Sequence, residues 1–125
     1  MKKILSILLA FVGLSSACSQ KQYEDVSVEQ FAELIKSDHV FLLDVRTADE
    51  FAEGHIPGAV NIDVKRDAFL EQAKQQLPRD KTIAVYCRSG RRSANACDKL
   101  AAEGYKTVNL TGGILAWEAE QGYNN

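Results

Sequence analysis

The segment Cys87-Arg88-Ser89-Gly90-Arg91-Arg92-Ser93 gathers a thiol, three guanidinium groups, two hydroxyls and a glycine in consecutive residues. Before it, Thr82-Ile83-Ala84-Val85-Tyr86 is the clearest buried-strand run in the chain. After it, a helix is expected from about Ser93 to Glu103, closed by Gly104. A cysteine between such a strand and such a helix meets the unpaired N–H groups of the first helical turn and the positive end of the helix dipole. Both favour the thiolate. Arg88, Arg91 and Arg92 add positive charge, and environments of this kind lower a cysteine pKa from about 8.5 to roughly 3.5–7.5. Gly90 lets the loop turn without a Cβ penalty, so that successive N–H groups form an anion-binding nest that would also hold a persulfide on Cys87. The expected chemistry is nucleophilic attack by Cys87, with Arg88, Ser89, Gly90, Arg91, Arg92 and Ser93 binding a small anion. The plainer alternative is an inert buried cysteine followed by a solvated basic turn. The coincidence of strand, glycine, clustered arginines and helix favours the chemical reading.

The elements that must hold this loop are legible around it. Asp25-Val26 reads as a short strand. Ser27-Val28-Glu29-Gln30 is a capping box that opens a helix through Phe31, Leu34 and Ile35. Val40-Phe41-Leu42-Leu43 is an unalternating apolar run, as in a strand covered on both faces, and Thr47-Ala48-Asp49-Glu50 is a second capping box. Gly54-His55-Ile56-Pro57-Gly58 breaks regular structure, Ala59 to Ile62 returns as a strand, and Asp67 to Leu77 is helical in composition up to Pro78. Thr107-Val108-Asn109-Leu110 gives a last strand, Thr111-Gly112-Gly113 a turn, and Ile114 to Glu120 a last helix. Alternating strands and helices predict an α/β sandwich in three layers, with a mainly parallel sheet and helices on both faces. Ligands of such sheets sit beyond the carboxyl ends of strands, which is where Cys87 falls.

The N-terminus carries an address. Lys2-Lys3, the apolar stretch from Ile4 to Leu14, and Ser15-Ser16-Ala17 have the three parts of a secretory signal peptide. The apolar stretch is well short of the roughly 20 residues that cross a bilayer. The expected organisation is a signal peptide at 1–17, a short polar leader at 18–24 and one domain at 25–125. Ala17-Cys18 resembles the end of a bacterial lipobox, although Ser15 stands where such signals usually have Leu. Lipidation at Cys18 is therefore expected, in an exported, envelope-facing protein tethered to the membrane only by that lipid. Losing Lys2 and Lys3 with the signal takes the net charge from −2 to −4, which disfavours nucleic-acid binding.

Other reactive side chains have quieter readings. Cys97 shares a helical face with Ala94, Leu100 and Ala101 and is expected in the core. Asp44 and Arg46 follow a buried strand, Asp44 facing the Cys87 loop and Arg46 pairing with Glu50, as supporting rather than reacting groups. His39 and His55 are isolated, so no metal site is expected. Trp117 and Tyr105 are read as packing residues.

Several separated motifs resemble the rhodanese-domain family, and the likeness covers nearly all of the chain after residue 25. Leu43-Asp44-Val45-Arg46, then Glu50-Phe51, then Gly54-His55-Ile56-Pro57-Gly58-Ala59 is similar to its first signature. Thr111-Gly112-Gly113 with Trp117 is similar to its closing signature, and Cys87 to Ser93 to its active-site loop. Within the family, the export signal and short length resemble the periplasmic phage-shock type of single-domain thiosulfate sulfurtransferase. The resemblance implies that sulfane sulfur passes from thiosulfate or a similar donor to Cys87 and then to a thiol or cyanide, with no cofactor. Two alternatives remain at this point. A cysteine phosphatase or arsenate reductase also cradles an anion over a thiolate, but phosphatases of that kind place Arg six residues after the Cys, where this chain has Ser93. A rhodanese-like binding or redox-sensing module would keep the scaffold without turnover.

Overall fold

The structure, a computed structural model, describes residues 21–122, so the expected signal at 1–17 and the lipidation site Cys18 lie outside the described residues. The described chain runs β1 (Glu24–Val26), α1 (Val28–Leu34), β2 (Val40–Asp44), α2 (Ala48–Glu53), β3 (Val60–Asn61), α3 (Phe69–Gln76), β4 (Thr82–Tyr86), α4 (Arg91–Ala102), β5 (Thr107–Leu110) and α5 (Gly113–Gln121). The strands form one sheet in the order β1-β5-β4-β2-β3, every pair parallel. Glu24, expected in the leader, is already part of β1 and pairs in register with Val108. None of the described helices is long and apolar enough to cross a membrane.

The sheet is buried on both faces, which explains the apolar runs of β2 and β4. Leu43, Ile83, Val85 and Cys87 pack with Phe69 and Ala73 of α3 and with Ala96, Cys97 and Leu100 of α4. On the other face Leu42, Ala84, Tyr86, Val108 and Leu110 pack with Phe31 of α1 and with Ile114 and Trp117 of α5. Successive strand residues point to opposite sides. Tyr86 therefore belongs to one core and Cys87, its neighbour, to the other. The Phe31 ring meets Tyr86 and Trp117 edge-on, with centroids 6.4 and 6.1 Å apart. Such pairs contribute about 0.5–1.5 kcal/mol each beyond their burial, and they fix the last strand residue before the reactive loop.

Both capping boxes form. The Ser27 hydroxyl accepts from the Gln30 N–H at 3.1 Å while the Gln30 side chain accepts from the Ser27 N–H at 3.0 Å. Thr47 and Glu50 repeat the exchange at 3.2 and 2.9 Å. The helix after the loop begins at Arg91, two residues earlier than its composition indicates. Gly90, at φ +109°, supplies the left-handed cap that starts it, so Arg91 and Arg92 are helical rather than loop residues. Cys97 lies wholly buried in α4, as its helical spacing indicates, and burial pushes its thiol up to about 12. Trp117 and Tyr105 are buried packing residues.

Candidate functional site

Strand β4 ends at Tyr86, and the chain must then turn into α4 within four residues. Cys87 sits at the bottom of that turn with 1% of its surface exposed. Its Sγ accepts hydrogen bonds from the Gly90 N–H at 3.0 Å and from the Ser93 hydroxyl at 3.3 Å. Helix α4 has no side-chain cap of its own. The sulfur lies against the first-turn N–H groups that a capping side chain would otherwise serve.

Burial acts on this thiol in the unfavourable direction, since a charge in a low-dielectric site is costly. The Ser93 hydroxyl and the backbone N–H groups of Ser93, Gly90 and Ser89 outweigh it and hold the Cys87 pKa below its ordinary value. Hydrogen bonds from the loop lower it, as the expected N–H nest would, and the added effect expected from the three arginines is not among the causes. Arg88 and Arg91 are exposed, and neither forms an ion pair among the described residues. Arg92 points elsewhere: its Nη1 and Nη2 hold the two Glu50 carboxylate oxygens at 2.8 and 3.0 Å.

The expected pairing of Arg46 with Glu50 is thus replaced. Arg46 turns back onto Asp44, Nη2 to Oδ2 at 2.7 Å and Nε to Oδ1 at 3.0 Å, and also donates to the Gly54 carbonyl at 2.7 Å. Asp44 does not face the Cys87 loop. Its register partner is Tyr86, so its side chain shares the opposite face of the sheet, where it is completely buried and neutralises a guanidinium. Burial and then the Asp44 charge push the Tyr86 phenol well up, keeping it protonated, and its oxygen accepts from the Ile56 N–H at 3.0 Å. Asp44, Arg46 and Tyr86 together anchor the Gly54 to Gly58 segment from behind. His55 stacks on Phe51 with centroids 3.7 Å apart, His39 is exposed, and among the described residues no cluster of His, Cys, Asp and Glu could hold a metal ion.

Three residues contribute in ways that the turn, cap and strand readings above do not assign. Gly113 opens α5 at φ +59°, where an added Cβ would lie 2.3 Å from the Arg88 carbonyl oxygen. That closeness lets the Ile114 and Leu115 N–H groups donate to the Cys87 and Arg88 carbonyls at 2.9 and 3.2 Å. The consecutive glycines ahead of a helix were the available signal. Glu50 was legible as a cap but not as the partner of Arg92, 42 residues away. Asn109, a buried polar residue between Val108 and Leu110 in β5, donates to the Gly90 carbonyl at 3.4 Å.

The family model for the rhodanese-like domain matches residues 27–120. Thiosulfate sulfurtransferase 18 of Arabidopsis thaliana is 42% identical over 117 residues, covering 84% of this chain and 85% of the plant protein. A sulfurtransferase of Allochromatium vinosum is 39% identical over 85 residues, covering 67% of this chain and 77% of that one. A rhodanese-related protein of Thermoplasma volcanium superposes with a TM-score of 0.70 at 34% identity, over 79% of this chain and 94% of that structure.

The Glu50–Arg92 pair gives a stability prediction with a defined sign. The Arg92 guanidinium is the main reason that the Glu50 carboxyl lies near about 2 rather than its ordinary 4.5. A depressed acid stabilises the fold above its unfolded pKa and loses that contribution as pH falls through the folded value. Glu50→Gln should therefore lower the unfolding free energy at neutral pH by about 1 kcal/mol or less, since the pair is partly exposed. Urea unfolding of both proteins should show the gap between them narrowing from about pH 4.5 towards pH 2, the difference cancelling the carboxylates common to both, such as Asp25, whose pKa the bond from Lys21 also lowers.

Proposed function

The chain belongs to the rhodanese-like domain family and is a sulfurtransferase, and we propose that it carries sulfane sulfur as a persulfide on Cys87, with thiosulfate as donor. The observation that carries this reading is a nearly inaccessible sulfur encircled by donors, Gly90 N–H and Ser93 Oγ–H among them. Cys87 attacks the sulfane sulfur of thiosulfate. A bond forms from Sγ to that sulfur, the S–S bond of thiosulfate breaks, and the electron pair leaves on sulfite. An acceptor thiolate then attacks the outer sulfur of the persulfide and releases the Cys87 thiolate, leaving the persulfide on the acceptor. Dividing the transfer in two is covalent catalysis, and the converging N–H groups are the preorganised dipoles that stabilise charge in each half.

The enclosure also favours this reaction over phosphoryl transfer. A thiol on a residue 1% exposed is reached by a slender terminal sulfur more readily than by a substituted phosphate. Ser93, six residues after Cys87, spends its hydroxyl on the sulfur itself and offers no guanidinium to phosphate oxygens. Thiosulfate should add a single sulfur to Cys87, detected by intact mass and peptide mapping. Cys97→Ser should leave this unchanged and Cys87→Ser should abolish turnover; a persulfide on Cys97, or phosphatase activity with no persulfide, would contradict the assignment.

Arg88 and Arg91 are proposed to draw the dianion to the loop, because they are exposed and free of ion pairs among the described residues, while Arg92 is held by Glu50. The apparent KM for thiosulfate should rise with salt as the Debye length falls from about 10 Å at 0.1 M to about 3 Å at 1 M. Arg88→Gln or Arg91→Gln should raise KM by about tenfold or less and flatten its salt dependence, with kcat little changed. An equal effect of salt on KM in the double variant and the parent would sink this role.

We also propose that the protein is exported to the bacterial envelope and tethered through a lipid on Cys18, which the Lys2 to Cys18 pattern supports. Cys18→Ala should release it from membranes as a soluble envelope form. An unmodified N-terminal Cys18 in detergent-free soluble material would contradict tethering.

A further inference from the structure

The donors around Cys87 need support from behind, and one side chain supplies it from the neighbouring strand. Asn109 of β5 is 4% exposed, and its Nδ2 donates to the Gly90 carbonyl at 3.4 Å and to Asp25 Oδ1 at 3.0 Å. Gly90 is the residue whose N–H lies 3.0 Å from Cys87 Sγ. It holds a left-handed conformation, and a Cβ there would come within 3.3 Å of the Gly112 nitrogen. A continuous path therefore runs from Asp25 on edge strand β1 through Asn109 and the Gly90 residue to the sulfur. Resting on Cys87 as the reacting thiol, we propose that Asn109 is a positioning residue for the sulfur nest, fixing Gly90 so that its N–H stays on Sγ, and that Asp25 orients the Asn109 amide.

The hydrogen-bond inventory of Asn109 shows why stability alone does not account for it. Its Oδ1 is buried and is left without any partner. A buried unsatisfied acceptor costs about 1–3 kcal/mol, and an apolar residue of similar shape at such a site is neutral or stabilising. The donor side of this amide is the side that is engaged. Both of its Nδ2 contacts lead into the loop or to the residue that steers it. A cavity of about 260 Å³ behind the loop is lined by Asp25, Ser89, Gly90, Asn109 and Thr111, so the Gly90 segment has room to shift if the tie is cut. The titratable and charged groups bordering this path are Tyr23, Asp98 and Cys97, together with Lys21, which pairs with Asp25, and Arg92, which pairs with Glu50.

The test is the pH profile of Cys87 alkylation by iodoacetamide in the protein carrying Cys18→Ala and Cys97→Ser, with urea unfolding alongside. It requires no sulfur donor, so it stands or fails separately from the thiosulfate reading. Asn109→Leu should keep or raise stability while moving the Cys87 midpoint up by about half a pH unit or more, as expected for losing part of one hydrogen bond. A purely structural residue would give the reverse pattern. Asp25→Ala decides the matter if Asn109→Leu fails to fold. Deleting the Asp25 charge by itself favours thiolate and would lower the midpoint, so an upward shift reports the lost hydrogen bond. Asp25→Asn, which keeps an acceptor for Asn109, should restore a midpoint at or below that of the parent. A folded Asn109→Leu protein with an unmoved midpoint, or an Asp25→Ala midpoint that stays or falls, overturns the proposal.

Discussion

A sulfur anion almost out of contact with water is costly unless nearby dipoles replace its hydration, and the arrangement around Cys87 follows from that requirement. Burial alone would raise this thiol, as it raises that of Cys97 ten residues on, which is pushed up to about 12. The two cysteines sit in the same apolar core and differ in what surrounds their sulfur atoms. Cys97 is inside a helix whose N–H groups are spent on the helix itself. Cys87 lies where α4 begins, and the N–H groups of Ser89, Gly90 and Ser93 are free to turn towards it. Position relative to a helix terminus, more than proximity to cations, separates the thiol whose pKa is lowered from the one whose pKa is raised.

Holding those dipoles in place is the work of the surrounding fold. The central strand β4 delivers Cys87 with its neighbour Tyr86 locked on the other face by Phe31 and tied through its oxygen to Ile56. The first turn of α5 grips the Cys87 and Arg88 carbonyls, which is possible because Gly113 has no Cβ to strike the loop. Glu50 of α2 fastens Arg92 at the start of α4. Loop, helix start and both cores are thus coupled, and little has to be rearranged when charge moves on or off the sulfur. Preorganisation of this kind is what makes fixed dipoles effective in transfer reactions.

Much of this was legible in the sequence because it is local. The capping boxes at Ser27 and Thr47, the apolar runs of β2 and β4, and the strand-cysteine-helix order each lie within a few residues of one another, and each forms. What escaped was long-range or orientational. Arg46 and Glu50 look like natural partners at four residues' spacing, yet the period of the strand sends Asp44 and Arg46 together to the face away from Cys87. Glu50 is then left for Arg92, a contact that needs the β2-β4 pairing to exist first. Arg91 and Arg92 read as loop residues from composition, which does not show that Gly90 starts the helix from a left-handed conformation. The roles of Asn109 and Gly113 depend on β5 and α5 lying beside the loop, which strand order alone reveals.

The central claim is that hydrogen bonds, rather than arginine charge, lower the Cys87 pKa. Its most direct test is the alkylation midpoint of Cys87 at low ionic strength and in 1 M salt, for the parent and for Ser93→Ala. Screening over about 3 Å at 1 M weakens exposed charges and leaves short buried hydrogen bonds intact. The account predicts a parent midpoint below the ordinary value of about 8.5 for a free cysteine, unmoved by salt, and a clear upward shift in Ser93→Ala. A parent midpoint that climbs back towards that of an ordinary thiol in 1 M salt, with Ser93→Ala unshifted, would contradict it.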